Sequence, residues 1–419
     1  MSSVTSFITL ILAATGTPLF IVIATGALLS FYLSGIDSSA VIIEMYRLAS
    51  TPLLEAIPLF ALAGYVLAES NAPKRLVRLS QAFLGWMPGG LAVVVLIACT
   101  LFTAFTGASG ITIIALGGLV FPALLSQRYP EGFSLGLITT SGALGLLLPP
   151  SLPLILYGII SRTSVDKLFI AGILPGSILV ILLMLYSLFK GSRAGTPIVR
   201  SSVREMRHAI RESIWEIPLP FVVLGGIYTG YFAVSDAAAI TAFYVLFVEV
   251  LIHREVRIKD LVSIIKESMV LVGGILIILG VALAYTNYLI DAQVPLKILA
   301  FIKEHITSKW AFLILLNIFL LIVGCMIDIF SALVVVVPLI LPLSQAYGID
   351  PIHLGIIFLT NLGIGYSTPP VGINLFIASY RFGRPILRLY VASLPFLAIL
   401  LVGLIVITYL PGISLFLIK

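Results

Sequence analysis

Two proline pairs, Pro149-Pro150 and Pro369-Pro370, interrupt long apolar stretches of this 419-residue chain. Proline lacks the N–H that would close the helical hydrogen bond to the carbonyl four residues earlier. The pairs therefore release the carbonyls of Gly145 and Leu146 in one stretch, and of Gly365 and Tyr366 in the other. A free carbonyl in hydrocarbon costs several kcal/mol unless something satisfies it. A dehydrated Na⁺ is one suitable partner, because hard cations take oxygen ligands. Oxygen-bearing side chains surround both breaks: Thr139, Thr140, Ser141 and Ser151 at the first, Asn361, Ser367, Thr368 and Asn374 at the second. A proline kink alone would account for one such pair. Two pairs in matching polar, glycine-rich settings point to a site.

Two further stretches carry chemistry. Residues 106–112 (Thr-Gly-Ala-Ser-Gly-Ile-Thr) are small, polar and flexible, and can bring backbone groups and the hydroxyls of Thr106, Ser109 and Thr112 to a membrane midplane. Helix N-termini there would present positive dipole ends to an anion. Asp328 lies between two short apolar segments, where a charge costs roughly 2.5–3.5 kcal/mol or more. It is expected either to serve Na⁺ or a proton, or to cap the helix that follows it.

The elements that position these residues are membrane segments. The chain is 60% hydrophobic and only 10% charged, against about 25% charge in soluble domains. At about 20 residues per span there is room for roughly ten to twelve membrane elements. The apolar stretch 5–32 is too long for the core of a secretory signal and reads as a first span. The short segments 89–105 and 111–125, and 309–325 and 332–344, fit re-entrant hairpins. Ser126-Gln127-Arg128-Tyr129 recurs as Ser344-Gln345-Ala346-Tyr347, Leu135-Gly136 as Leu354-Gly355, and Pro149-Pro150 as Pro369-Pro370. Three matches in order indicate an internal repeat.

With two hairpins and a cytoplasmic N-terminus, seventeen of the 24 Lys and Arg fall in inward-facing loops and their flanks, as the positive-inside rule asks. Under that orientation the two repeats run in opposite directions. Inverted repeats with interrupted helices mark secondary transporters. The reading divides the chain into scaffold helices at 1–72, a first repeat with arm, hairpin and broken helix at 73–190, a cytoplasmic connector at 191–215, scaffold helices at 216–293, and a second repeat at 294–419. The basic, amphipathic stretches 73–86 and 294–306 read as arms lying on the membrane surface, and the connector as a solvated link. The expected fold class is an all-α integral membrane protein, an inverted-repeat transporter with two re-entrant hairpins and two broken helices. The net charge of +6 is explained by the loops, without nucleic acid.

Catalysis is a poor alternative. Gly107-Ala108-Ser109-Gly110 matches the GxSG of intramembrane serine proteases, but His208, His253, His305 and His353 all map to loops or span ends. A stand-alone ion-coupled anion carrier of the same broad fold is the alternative among transporters.

The chain resembles the large membrane subunit of tripartite ATP-independent periplasmic (TRAP) transporters, the DctM-like proteins. The resemblance runs almost end to end. It is densest in Gly85-Trp86-Met87-Pro88-Gly89-Gly90-Leu91-Ala92, the 106–112 tip, Ser141-Gly142-Ala143-Leu144-Gly145-Leu146-Leu147-Leu148-Pro149-Pro150-Ser151, and Thr368-Pro369-Pro370-Val371-Gly372-Ile373-Asn374-Leu375-Phe376. It implies an elevator-type fold and inward, Na⁺-coupled transport of an organic anion, commonly a carboxylate, across a bacterial or archaeal cytoplasmic (inner) membrane. It also implies an extracytoplasmic substrate-binding protein and a small, four-helix, DctQ-like membrane subunit as partners. By the same resemblance, one Na⁺ site would involve Ser109, Gly110, Gly145 and Pro149, and the other Asp328, Gly365, Thr368 and Pro369. Thr106, Ser109, Thr112, Ser151, Ser367 and Asn374 are then the candidate substrate contacts. Ser235-Asp236 stands where the family usually has Thr-Glu, and Tyr65 where many members carry an acid.

Overall fold

The computed structural model describes residues 3–87, 89–193 and 202–418, and every regular element among them is helical. The fold class read from the sequence holds: an all-α integral membrane protein built on two repeats. Among the described residues, seven helices are long and apolar enough to cross a membrane, and up to nine if each of two bent pairs counts as one span.

The stretch expected as one first span is two helices, Ser3–Ala14 and Leu19–Leu33. They part at Thr15-Gly16-Thr17-Pro18, where Gly16 takes φ +75° and Pro18 has no N–H for a continuing helix. Ser39–Ala49 forms a further helix that its mixed composition, with Glu44 and Arg47, concealed. Ala56–Glu69 follows. The 34-residue helix Ile258–Asp291 packs along Leu19–Leu33, Ser39–Ala49 and Ala56–Glu69, and Val234–Leu246 packs on Ala56–Glu69. The helices on either side of the first repeat thus form one packed unit.

Each repeat has an arm, a hairpin, a broken helix and a long closing helix. In the first these are Ala72–Leu84, Gly90–Thr106 with Ser109–Ala115 and Gly117–Ser126, Glu131–Leu144 with Leu152–Ser161, and Val165–Arg193. In the second they are Val294–His305, Lys309–Met326 with Ile329–Ala346, Pro351–Gly365 with Ile373–Phe382, and Ile386–Tyr409. The return leg of hairpin 1 is bent by 53°, whereas that of hairpin 2 runs unbroken through Pro338 and Pro342.

The repeats exchange partners. The first half of each broken helix packs on its own hairpin, Glu131–Leu144 on Gly90–Thr106 and Pro351–Gly365 on Lys309–Met326. The second half packs on the other repeat's return leg, Leu152–Ser161 on Ile329–Ala346 and Ile373–Phe382 on Ser109–Ala115. Tyr157 donates its hydroxyl hydrogen to the Pro351 carbonyl at 2.6 Å. Glu131 accepts from Arg384 at 2.6 Å and Arg388 at 2.5 Å.

The connector is more ordered than a solvated link. Val203–Glu212 is a helix closed by a Ser202/Glu205 capping box, and Glu212 pairs with Arg78 of arm 1 at 2.7 Å. Residues 194–201 of the connector lie outside the described residues. Arm 1 also departs from a simple surface helix, because Arg75 turns inward and is buried.

A candidate ion and substrate site at two helix breaks

Each hairpin tip is pressed against the break of its own broken helix. Gly145 lies so close to hairpin 1 that a Cβ there would sit 2.3 Å from the Thr100 carbonyl oxygen. Gly365 meets hairpin 2 in the same way, with a Cβ 2.5 Å from the Gly324 carbonyl carbon. Only glycine permits such backbone contact without displacement. Gly107 ends the first leg of hairpin 1 at φ +66°, and the Thr103 and Thr112 hydroxyls join its two legs at 2.5 Å.

The four carbonyls released by the prolines all find a donor. Leu148 N–H donates to Gly145 O at 3.1 Å, and Ser151 Oγ to Leu146 O at 2.6 Å. Thr368 N–H donates to Gly365 O at 2.9 Å, and Asn374 N–H to Tyr366 O at 3.0 Å. The expectation of unsatisfied carbonyls is therefore corrected: each break is closed locally. A carbonyl oxygen has two lone pairs, so one per carbonyl stays available to a cation without breaking these bonds. Both Pro-Pro bonds are cis.

At tip 2, Asp328 caps the helix Ile329–Ala346, with Oδ1 accepting from the N–H groups of Phe330 and Ser331 at 3.0 Å each. Oδ2 accepts none of the hydrogen bonds seen among the described residues. The Tyr366 hydroxyl accepts from Ile329 N–H, and Gly372 N–H donates to Cys325 O at 2.9 Å. Tip 2 and its break thus contribute the Asp328 carboxylate, the Gly365 and Tyr366 carbonyls and the Thr368 hydroxyl, oxygen groups of the kind a hard cation takes.

The two breaks are bridged. Ser109 Oγ, at tip 1, donates to Asn374 Oδ1 at 2.8 Å. Asn374 Nδ2 and Ser367 Oγ both donate to the Thr139 carbonyl at 3.3 Å. These four residues are buried and come from one tip and both broken helices. Of the other candidates, Thr112 is bonded to Thr103, Ser151 to its own break, and Thr106 only weakly to the Ala108 carbonyl at 3.5 Å. Gly110 faces Ile377, 2.6 Å from where its Cβ would be. Asn361 turns away from the break to Asn317 at 2.8 Å. No histidine serves as hydrogen-bond partner to Ser109, and the His353 ring is bonded to Ser414 and the Thr408 carbonyl.

The profile of the family described as "Tripartite ATP-independent periplasmic transporter, DctM component" matches residues 4–413. The chain belongs to this family. It is 36% identical, over 93% of its length and 92% of the relative's, to the C4-dicarboxylate TRAP transporter large permease protein DctM of Pseudomonas aeruginosa. It is 34% identical over 96% of its length to the isethionate TRAP transporter permease protein DctMQ of Oleidesulfovibrio alaskensis, of which it covers 64%. Its fold is similar to that of the Alcanivorax borkumensis YdaH transporter, with TM-score 0.63, 19% identity, and 88% and 89% of the two chains covered. As a member of the DctM family, the chain is a multi-pass membrane component of a TRAP transporter.

A second polar cluster escaped the sequence reading. Arg75 of arm 1 donates to Glu216 at 2.5 Å, Glu255 at 2.6 Å and Glu249 at 2.8 Å. Glu255 also accepts from Asn71 N–H at 2.7 Å. Burial pushes the Glu255 carboxyl upward, but the Asn71 N–H and the Arg75 guanidinium outweigh it and hold the group below its ordinary value. Glu249 sits on a π-helical turn, Phe247–Ile252. The only hint in the sequence was its place one turn before His253 at the end of an apolar run.

Proposed function

We propose that the chain is a Na⁺-coupled importer of an organic anion, a carboxylate handed over by an extracytoplasmic binding protein, and that it works with a small DctQ-like membrane subunit. Membership of the DctM family supports the tripartite assembly, and the DctMQ relative bears both component names in one chain. The observation that carries the site is the bridge from Ser109 through Asn374 to the Thr139 carbonyl, which joins tip 1 to both breaks. Na⁺ binds at each tip and break: Ser109, Gly110, Gly145 and Pro149 frame one position, and Asp328, Gly365, Thr368 and Pro369 the other. Among the described residues, none of the hydrogen bonds at the Ser109–Asn374–Thr139 bridge comes from a cationic side chain. Na⁺ therefore supplies the positive charge, and Ser109, Ser367 and Asn374 orient the carboxylate. Thr106, Thr112 and Ser151 shape the site around it. The two repeats then move as one unit past the flanking helices, an elevator motion in a bacterial or archaeal inner membrane with the N-terminus in the cytoplasm.

Proteoliposomes holding this chain with its small partner test the reading. Uptake of a carboxylate that requires both an inward Na⁺ gradient and a binding protein is the expected result. Na⁺-driven uptake without a binding protein would make the chain a stand-alone carrier, and uptake indifferent to Na⁺ would remove the proposed ion sites.

A further inference from the structure

The arm 1 cluster holds more negative charge than Arg75 neutralises. Three carboxyl groups, Glu216, Glu249 and Glu255, surround one guanidinium, so Arg75 balances the charge of only one of them. Arg75 takes only one oxygen, Oε1, from Glu216 and Glu249. Their other oxygens, Glu216 Oε2 and Glu249 Oε2, are buried and accept no hydrogen bond, and His253 Nε2 beside them has none either. The Glu216 and Glu249 side chains are only 8% and 1% exposed, so water does not solvate them freely. A buried carboxylate oxygen without a partner costs more than a neutral group in the same position.

Ligand atoms of Glu216, Glu249 and His253 all lie within 4.8 Å of one another. His253 caps the π-helical turn that carries Glu249 four positions earlier, which brings the two to the same side. Two carboxylate oxygens and one imidazole nitrogen form a three-ligand set of the kind zinc accepts, with bond lengths of about 2.0–2.2 Å and a fourth position open. Ligands on one such ion stand about 3–4 Å apart, which small side-chain rotations reach from here. Arg75 fixes the remaining carboxylate oxygens, as outer-shell donors do around metal ligands.

We infer that Glu216, Glu249 and His253 bind a divalent transition-metal cation of zinc type. The ion locks arm 1, through Arg75, to the flanking helices. Its positive charge offsets the carboxyl groups that Arg75 leaves unbalanced.

The full chain, purified with its small partner and stripped with chelator, is titrated with Zn²⁺ and binding followed by calorimetry. One tight equivalent is expected, weakened at least ten-fold by His253→Ala and by Glu249→Gln and unchanged by His208→Ala. His253 makes no bond to Arg75, although its Nε2 lies 3.7 Å from Glu216 Oε1, so monodisperse elution and an unchanged melting temperature of the metal-free His253→Ala protein confirm that the Arg75 ion pairs survive. No stoichiometric binding, or binding of equal strength in His253→Ala, overturns the assignment. So does a thermal stabilisation that lowering the pH produces and Zn²⁺ does not.

Discussion

Ser109 Oγ and Asn374 Oδ1 stand 2.8 Å apart although 265 positions separate them in the chain. One is at the tip of hairpin 1 and the other in the first turn after the second proline break. Asn374 also reaches the Thr139 carbonyl, so one amide holds three elements in register. Asn374→Ala is expected to leave the Ser109 hydroxyl and the Thr139 carbonyl short of a partner in a buried site, at about 1–3 kcal/mol. Uptake should fall by ten-fold or more. Because the two residues share one bond, Ser109→Ala added to Asn374→Ala should cost less than the sum of the single changes. Fully additive losses in uptake would show that the bond does not couple them.

The glycine contacts give a second test. Gly145→Ala and Gly365→Ala each place a methyl group under 3.0 Å from backbone of a hairpin. Backbone cannot swing aside as a side chain can, so tip and break must separate. The cost of such overpacking is typically about 1–3 kcal/mol. Both variants should still insert but lose most uptake, and each should need a higher Na⁺ concentration. Gly132→Ala, with nothing within 4 Å of the added carbon, is the control. Normal Na⁺ curves in Gly145→Ala and Gly365→Ala would uncouple the close approach from ion binding.

Breaks, tips and repeats were legible because proline and glycine act locally: Pro149-Pro150 interrupts a helix whatever surrounds it. Pairings between distant segments were not. Nothing in the sequence around Ser109 names Asn374, and Arg75 looked like any basic residue on an amphipathic arm. Its three acids lie 141 to 180 positions away. The released carbonyls were correctly located, but their donors were not. Ser151 read as a substrate contact, while its hydroxyl closes the Leu146 carbonyl. Thr15-Gly16-Thr17-Pro18 inside stretch 5–32 carries the same kind of local signal, but the stretch was read through as one span because apolar residues dominate on both sides.

Asp328 has two possible duties that one substitution separates. As an N-cap its Oδ1 accepts from Phe330 and Ser331, and asparagine performs that task about equally well. Asparagine carries no charge for a cation. Asp328→Asn should therefore retain expression and thermal stability while the Na⁺ concentration for half-maximal uptake rises by ten-fold or more. Asp328→Ala should show the same loss and also destabilise the hairpin by about 1 kcal/mol. An Asp328→Asn protein with a wild-type Na⁺ curve would leave capping as the only duty of this residue.

Arg75 joins arm 1 to the helices that flank the repeats, so its removal tests the joint itself. Arg75→Gln leaves Glu216, Glu249 and Glu255 facing one another without the guanidinium that pairs with all three. Breaking a buried pair by deleting one partner costs about 3–5 kcal/mol, and a clear loss of melting temperature or of folded yield is expected. The acid side follows from Glu255. Its carboxyl is held below the ordinary value of 4.5 by the Asn71 N–H and Arg75 acting against burial. A group depressed in the folded state binds fewer protons there than when unfolded. Its contribution is therefore complete above that ordinary value and is lost as pH falls through the folded one. Hydrogen exchange of residues 72–84, followed from neutral pH downward, should show the arm loosening only below about pH 4.5, with exchange rates compared after correction for intrinsic pH dependence. In Glu255→Gln the acid-induced component should shrink. Loosening that begins near neutral pH and persists in Glu255→Gln would assign it to a different group.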